Sequence, residues 1–149
     1  MAKGAIYLIL SLWLNGHMDV RGRPDKKEIG RIGEKVASEF LARKGFEILE
    51  MNYRRPWGEI DIIALKANIV RFVEVKSVSR EAIQDISRES NDHRPEELVH
   101  EFKLKKVART AEMYMNAKND KRDFQIDVVG VFLDVKNRKA RCRLFEQVL

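Results

Sequence analysis

Asp61 interrupts an otherwise apolar run, residues 59–65 (EIDIIAL), and Glu74 and Lys76 interrupt another, residues 69–77 (IVRFVEVKS). A charge inside a hydrophobic strand is costly unless it is paired or used. Strand side chains alternate, so Glu74 and Lys76 share a face. If Leu65 stands opposite Val70 across a four-residue loop, Asp61 falls opposite Glu74. Directly opposed side chains have Cβ atoms about 4.5–5.5 Å apart. Two carboxylates that close repel each other unless a proton or a cation lies between them. Hard oxygen ligands suit Mg²⁺ (or Mn²⁺). Lys76 beside them can meet a substrate phosphate or help activate a water. A slip of one residue would send Asp61 to the other face. The competing arrangement is an edge hairpin with a solvent-facing Lys–Asp pair, and these residues are compatible with both.

Other chemistries find less support. His17, His93 and His100 have no zinc-like spacing. Cys142 is the one cysteine, which excludes a disulfide framework within the chain and fits a reducing compartment. Its place between Arg141 and Arg143 in a strand pattern reads as a small buried residue rather than a nucleophile. Gly30 and Gly33 lie inside a helical pattern, so they do not form a dinucleotide loop. The sequence contains no phosphate-binding Walker loop and no Gly-x-Ser-x-Gly elbow.

Arg54 and Arg55 stand beside Trp57 ahead of the hairpin, and Lys103, Lys106 and Arg109 recur along a later helical segment. Further basic residues follow at Lys121, Arg122, Lys136, Arg138, Lys139, Arg141 and Arg143. Basic side chains interleaved with an aromatic suit phosphate contacts and base stacking. A solvated helix face with a charged turn is the bland alternative.

The elements that must position these residues follow from periodicity. Residues 25–45 predict a helix: Ile29, Ile32, Gly33, Val36, Ala37, Phe40 and Leu41 fall on one face. Asp25 is its expected N-cap and Gly45 its stop. Gly30 and Gly33 would let another backbone approach closely. Strands are expected at 46–53, 59–65 and 69–77, with residues 54–58 as a turn. Residues 78–94 read as a loop, with a short helix around Ile83 and Ile86. A second helix is expected from about Pro95, with Leu104, Val107, Ala108, Ala111, Tyr114 and Met115 as its stripe. Strands at 124–133 and 140–148 complete a mixed α/β domain with helices packed on a central sheet.

The chain's 149 residues suit one domain, and 44% hydrophobic residues are enough for a core. Lys and Arg number 29 against 23 Asp and Glu, a net charge of +6 that favours an anionic partner, nucleic acid first. The apolar run at 5–14 (AIYLILSLWL) is shorter than the ~20 residues of a membrane span. Asn15-Gly16-His17 offers no small-residue cleavage site, which counts against a secretory signal. We read residues 1–19 as an extension, either a packed segment or a start assigned too early with Met18 as the alternative. Residues 20–149 then form the single domain, with a cytoplasmic location expected.

Taken together, residues 58–64 (GEIDIIA) and 72–77 (FVEVKS) resemble the YraN-like family of uncharacterised bacterial proteins. The helix from Ile32-Gly33-Glu34 to Gly45-Phe46 is similar to that family's opening segment. Asn52-Tyr53-Arg54, Lys103 with residues 111–114, and residues 124–131 (FQIDVVGV) extend the likeness over most of 28–133. The family in turn resembles the restriction-endonuclease-like superfamily, which includes Holliday-junction resolvases. That likeness implies a mixed central sheet flanked by helices, in a single nuclease-like domain. It makes Asp61 and Glu74 the metal ligands, together with a main-chain oxygen of the second strand. It makes Lys76 the catalytic lysine, and Glu34 the acidic helix residue of the resolvase-like branch. Ile60 stands where the superfamily motif often has proline, and residues 78–94 exceed the family's usual loop.

The function this implies is a Mg²⁺-dependent DNA endonuclease acting on branched or structured DNA, in repair or recombination. A homodimer is implied by analogy with resolvases. Two alternatives are a nucleic-acid-binding module with weak or no catalysis, and a partner of DNA-repair proteins. A module that only binds has no need of two carboxylates beside a polyanion.

Overall fold

Asp25 is extended (φ −70°, ψ 173°), and its side chain accepts a 2.8 Å hydrogen bond from the backbone N–H of Glu28. This satisfies one of the donors that a helix start leaves open. The helix α1 that follows, Lys26–Arg43, is the expected one. It ends as expected at Gly45, whose φ of +88° lets the Phe46 N–H reach the Leu41 carbonyl at 3.0 Å and the Gly45 N–H reach that of Ala42 at 3.1 Å. Phe46 and Leu41 are then buried in the same cluster, closing a Schellman cap with its apolar contact.

These elements come from a computed structural model, which describes residues 25–79, 101–134, 137 and 139–149. The extension at 1–19, His93, His100 and the expected helix start at Pro95 lie outside the described residues. So do the short helix around Ile83 and Ile86, and Lys136 and Arg138 of the basic series.

After α1 come β1 (Glu47–Arg55), β2 (Gly58–Lys66) and β3 (Ile69–Ser79). The helix α2 (Glu101–Ala117), β4 (Phe124–Asp134) and β5 (Lys139–Phe145) complete the order. The sheet runs β1-β2-β3-β4-β5. Pairing is antiparallel except between β3 and β4, which are parallel and joined through α2. This is the expected mixed α/β sheet with helices on its faces, consistent with a restriction-endonuclease-like fold.

Two apolar clusters divide the faces. Ile32, Val36, Phe40 and Leu41 of α1 pack on Ile62, Val73, Val129 and Leu133. Leu104, Val107, Ala111 and Tyr114 of α2 pack on Ile63, Val70, Phe72 and Ile126 on the other side. Gly33 allows the expected close approach, because a Cβ there would collide with Ser77 Oγ of β3. Gly30 does not serve this purpose: its missing Cβ faces open space.

Four boundaries differ from expectation, one of them being β5, which ends at Phe145 instead of 148. Arg54 and Arg55 belong to β1, paired with Glu59 and Gly58, so the turn is Pro56-Trp57 alone. Proline has no N–H to continue the ladder, so the turn begins there. The β2–β3 connection is a two-residue turn, with Ala67 (φ 51°) and Asn68 (φ 61°) both left-handed. The Leu65–Val70 register is nonetheless the expected one. Finally, Val78 and Ser79 extend β3 instead of opening the loop, because β4 pairs with them through Phe132 and Leu133.

Candidate active site

Asp61 lies where the hairpin changes face. Met51 and Ile62 are paired and pack on the α1 side, whereas the next pair, Tyr53 and Ile60, packs under α2. Regular alternation would keep Met51 and Tyr53 on one face. The roll occurs at Asn52, whose φ of 53° is left-handed, a conformation asparagine tolerates better than most residues. Neither Asn52 nor Asp61 takes part in the β1–β2 ladder, and the β2–β3 ladder likewise begins only at Ile62–Val73. Asp61 Oδ2 instead accepts a 2.8 Å hydrogen bond from the backbone N–H of Val75, in the gap where the two strands part.

Glu74 comes to the same gap from β3. Its residue is only 3% exposed, and its carboxylate is ion-paired with the Lys103 ammonium of α2. Burial first, and then the Asp61 charge, push Glu74 up from 4.5 to about 7, against the pull of Lys103. Asp61 is also raised, by burial, while the Val75 N–H and Lys103 pull it down. The two carboxyls are hydrogen-bonded to each other and both are raised, first by burial. The repulsion expected of this pair is therefore present, and a proton relieves it.

This donor set fits a hard divalent cation: two oxygen ligands whose shared charge already recruits a proton and a lysine. Among the described residues no group of three or more His, Cys, Asp or Glu could hold a metal ion. Glu34, on α1, is half-buried and its pKa is raised by burial and then by the Asp61 charge, with Asn52 and Arg54 opposing. It therefore bears on the site through Asp61 and does not complete a carboxylate triad. Lys76 is exposed two residues beyond Glu74, on the same face by strand alternation.

Beside this gap Arg54, Arg55, Lys103 and Lys106 line one groove of about 540 Å³, with Glu59 and Val107. Its walls are the hairpin tip and α2, which meet closely because a Cβ on Gly58 would collide with Thr110 Oγ1. Arg55 stacks 4.3 Å from the Tyr53 ring centroid, and Trp57 at the tip is 42% exposed. Arg109 is exposed on α2 but does not line this groove.

The sequence model of the uncharacterised protein family UPF0102 matches residues 33–131, which contain all of these side chains. The chain belongs to this family. A UPF0102 protein of Caldanaerobacter subterraneus subsp. tengcongensis is 37% identical over 111 residues, 74% of this chain and 84% of that one. One from Campylobacter jejuni is 39% identical over 106 residues, covering 71% and 85% of the two chains. One from Dictyoglomus thermophilum is 36% identical over 110 residues, covering 73% and 86%. The YraN-like resemblance of the paired motif therefore holds over most of the chain.

Within this UPF0102 fold the structure brings Asp61, Glu74 and Lys103 together and gathers Arg54, Arg55 and Lys106 next to them. Two features were not foreseen. Lys103 was expected to meet phosphate, yet it is also the counter-ion of Glu74. Helical side chains lean toward the N-terminus, so Lys103, four residues before Val107, extends past the apolar stripe to the strand ends. Asn52 was expected only as part of a lead into the hairpin, and its signal was an asparagine in the middle of a strand pattern.

Proposed function

We propose that this chain is a metal-dependent DNA endonuclease acting on branched or structured DNA. The observation that carries the reading is the meeting of Asp61 and Glu74 in a buried gap of the sheet, next to a groove lined by four basic side chains. Two carboxylates beside a polyanion-sized basic groove would repel DNA unless a cation joined them. A divalent ion held by Asp61 and Glu74 would polarise the scissile phosphate and acidify a water. Lys76 offers its ammonium to the negative charge that develops on the phosphate. Arg54, Arg55 and Lys106 hold the backbone alongside. Asp61 is kept in place by the Val75 N–H, and its charge in turn raises Glu34. The exposed Trp57 beside Arg54 and Arg55 suits stacking on an unpaired base, which is the support for a structured substrate.

The Lys103–Glu74 pair favours a second reading, a DNA-binding module that does not cut, because it neutralises Glu74 without a metal. Incubating linear, flap and four-way DNA with Mg²⁺, Mn²⁺ or EDTA separates the two. The nuclease reading expects cleavage that EDTA and Asp61→Asn each abolish while binding in EDTA persists. Binding to all substrates with no cleavage under any metal would leave the second reading standing.

A further inference from the structure

The register of the sheet places basic residues on the side of the carboxylate gap away from the Arg54–Lys106 groove. Lys76 of β3 is level with Gly130 of β4, and Gly130 is paired with Arg143 of β5. One row further, Val78 is level with Phe132, which is paired with Arg141. Residues level across a ladder share a face, so Lys76, Arg143 and Arg141 point to the α2 side of the sheet. Ala140 and Cys142, which alternate with the arginines, are buried in the α1 cluster, as that orientation requires.

The apolar cluster beneath α2 reaches Val128, level with Glu74, and among the described residues includes neither Gly130 nor Phe132. Lys76, Arg141 and Arg143 are all exposed. Lys76 and Arg143 flank the buried Gly130, over which the Phe132 and Phe145 rings close to 3.6–3.8 Å of where a Cβ would stand, and their Cα atoms are two strand spacings apart, roughly 9–10 Å. The Arg143 guanidinium lies 4.8 Å from the centroid of Phe145, which is in the Glu74 row. Stacking of this kind limits the freedom of the guanidinium and leaves its donors available to a phosphate.

We propose that Lys76, Arg143 and Arg141 form a phosphate-binding track that carries the DNA strand from the carboxylate gap across β4 to β5. The proposal rests on the nuclease reading above and adds a requirement to it. The groove at the hairpin tip holds the backbone on one side of the scissile phosphate and this track holds it on the other. DNA ending at the site engages only one of them. Arg141 and Arg143 lie beyond the residues matched by the family model, whereas Lys76 lies within them.

The test is DNA binding in EDTA, where nothing is cut, followed by fluorescence anisotropy over a series of salt concentrations. Each phosphate contact contributes about 0.9 to the slope of log affinity against log salt on duplex DNA, so R141Q/R143Q lowers the slope by about 1.8 and R141Q alone by about 0.9. K35Q/R43Q removes two exposed charges from α1, on the opposite face, and leaves the slope as in the wild type. Circular dichroism establishes that each variant is folded, and R141Q keeps the Arg143–Phe145 stack intact. Wild-type binding with an unchanged slope in R141Q/R143Q would overturn the track and leave the nuclease reading in place. A wild type that binds no DNA at any salt would remove that reading and the track with it.

Discussion

Replacing Glu74 by glutamine should make the metal-free protein more stable at alkaline pH, although the residue is assigned to the site. Glu74 titrates near 7 in the folded chain, against 4.5 for an ordinary glutamate, first because it is buried and then because Asp61 is beside it. Below the ordinary value the carboxyl is protonated in both folded and unfolded chains and costs nothing. As pH rises toward 7 the unfolded chain releases the proton and the folded chain does not, so stability is lost. Above 7 the loss is complete. At about 1.36 kcal/mol per pH unit, the interval from 4.5 to about 7 amounts to roughly 3 kcal/mol. With only 3% of the residue exposed, solvent screens little of this. Lys103 loses its partner in the variant, but its side chain is 52% exposed and water takes over.

Glutamine keeps the shape and stays neutral. In urea unfolding with EDTA, Glu74→Gln should therefore exceed the wild type by about 3 kcal/mol near pH 8 and match it to within about 1 kcal/mol near pH 5. Adding Mn²⁺ should raise the wild type and leave the variant unchanged, because binding to the folded state alone stabilises it. A gap of the same size at both pH values, or a variant less stable than the wild type at pH 8, would refute the account of the carboxylate pair.

Three further outcomes follow from the geometry. Lys76→Ala should slow cleavage by about 10²–10³-fold, the scale of one lost electrostatic stabiliser, with Mn²⁺ affinity by calorimetry unchanged; equal cleavage would remove the lysine from the mechanism. Arg54→Gln with Arg55→Gln should lower the salt slope of DNA binding by about 1.8 and weaken binding most at low salt. An unaltered slope would mean that the groove holds no phosphate. Gly33→Ala should destabilise the fold by about 1–3 kcal/mol through collision with Ser77, and Ser77→Gly should restore much of the loss in a double-mutant cycle by chemical denaturation.

The legible parts of this chain were those set by local physics. Asp25 and Gly45 mark α1 because a helix start needs an acceptor and a Schellman stop needs a left-handed residue. The nearness of Asp61 to Glu74 was legible from register, because residues 62–66 pair with 69–73 as expected, but the ladder stops at Ile62–Val73 and the expected direct Asp61–Glu74 pair does not form. What could not be read depends on contacts distant in sequence. Lys103 looks like any solvated helix lysine until α2 is laid on the sheet, and the Lys76–Gly130–Arg143 row exists only once β3, β4 and β5 are side by side.

The roll at Asn52 was hidden for a different reason. Strand patterning assumes strict alternation, and the phase switch at Ile48-Leu49 marks only the register shift there, yet Met51 and Tyr53 also end on opposite faces. β1 has one register shift between Ile48 and Glu50 and a second irregularity at Asn52, across from the point where Asp61 leaves both ladders. A regular hairpin would bury Asp61 under one helix or expose it on one face. Turning the strand over at Asn52 holds the carboxylate in the plane of the sheet, toward the Val75 N–H and the end of Glu74. Local rules tend to fail where function is placed. Here the failure has a definite physical content: a left-handed asparagine, two missing ladder pairs and a carboxylate that holds a proton near neutral pH. Each of these is unfavourable to folding on its own, and the cation proposed for the gap would offset part of that cost.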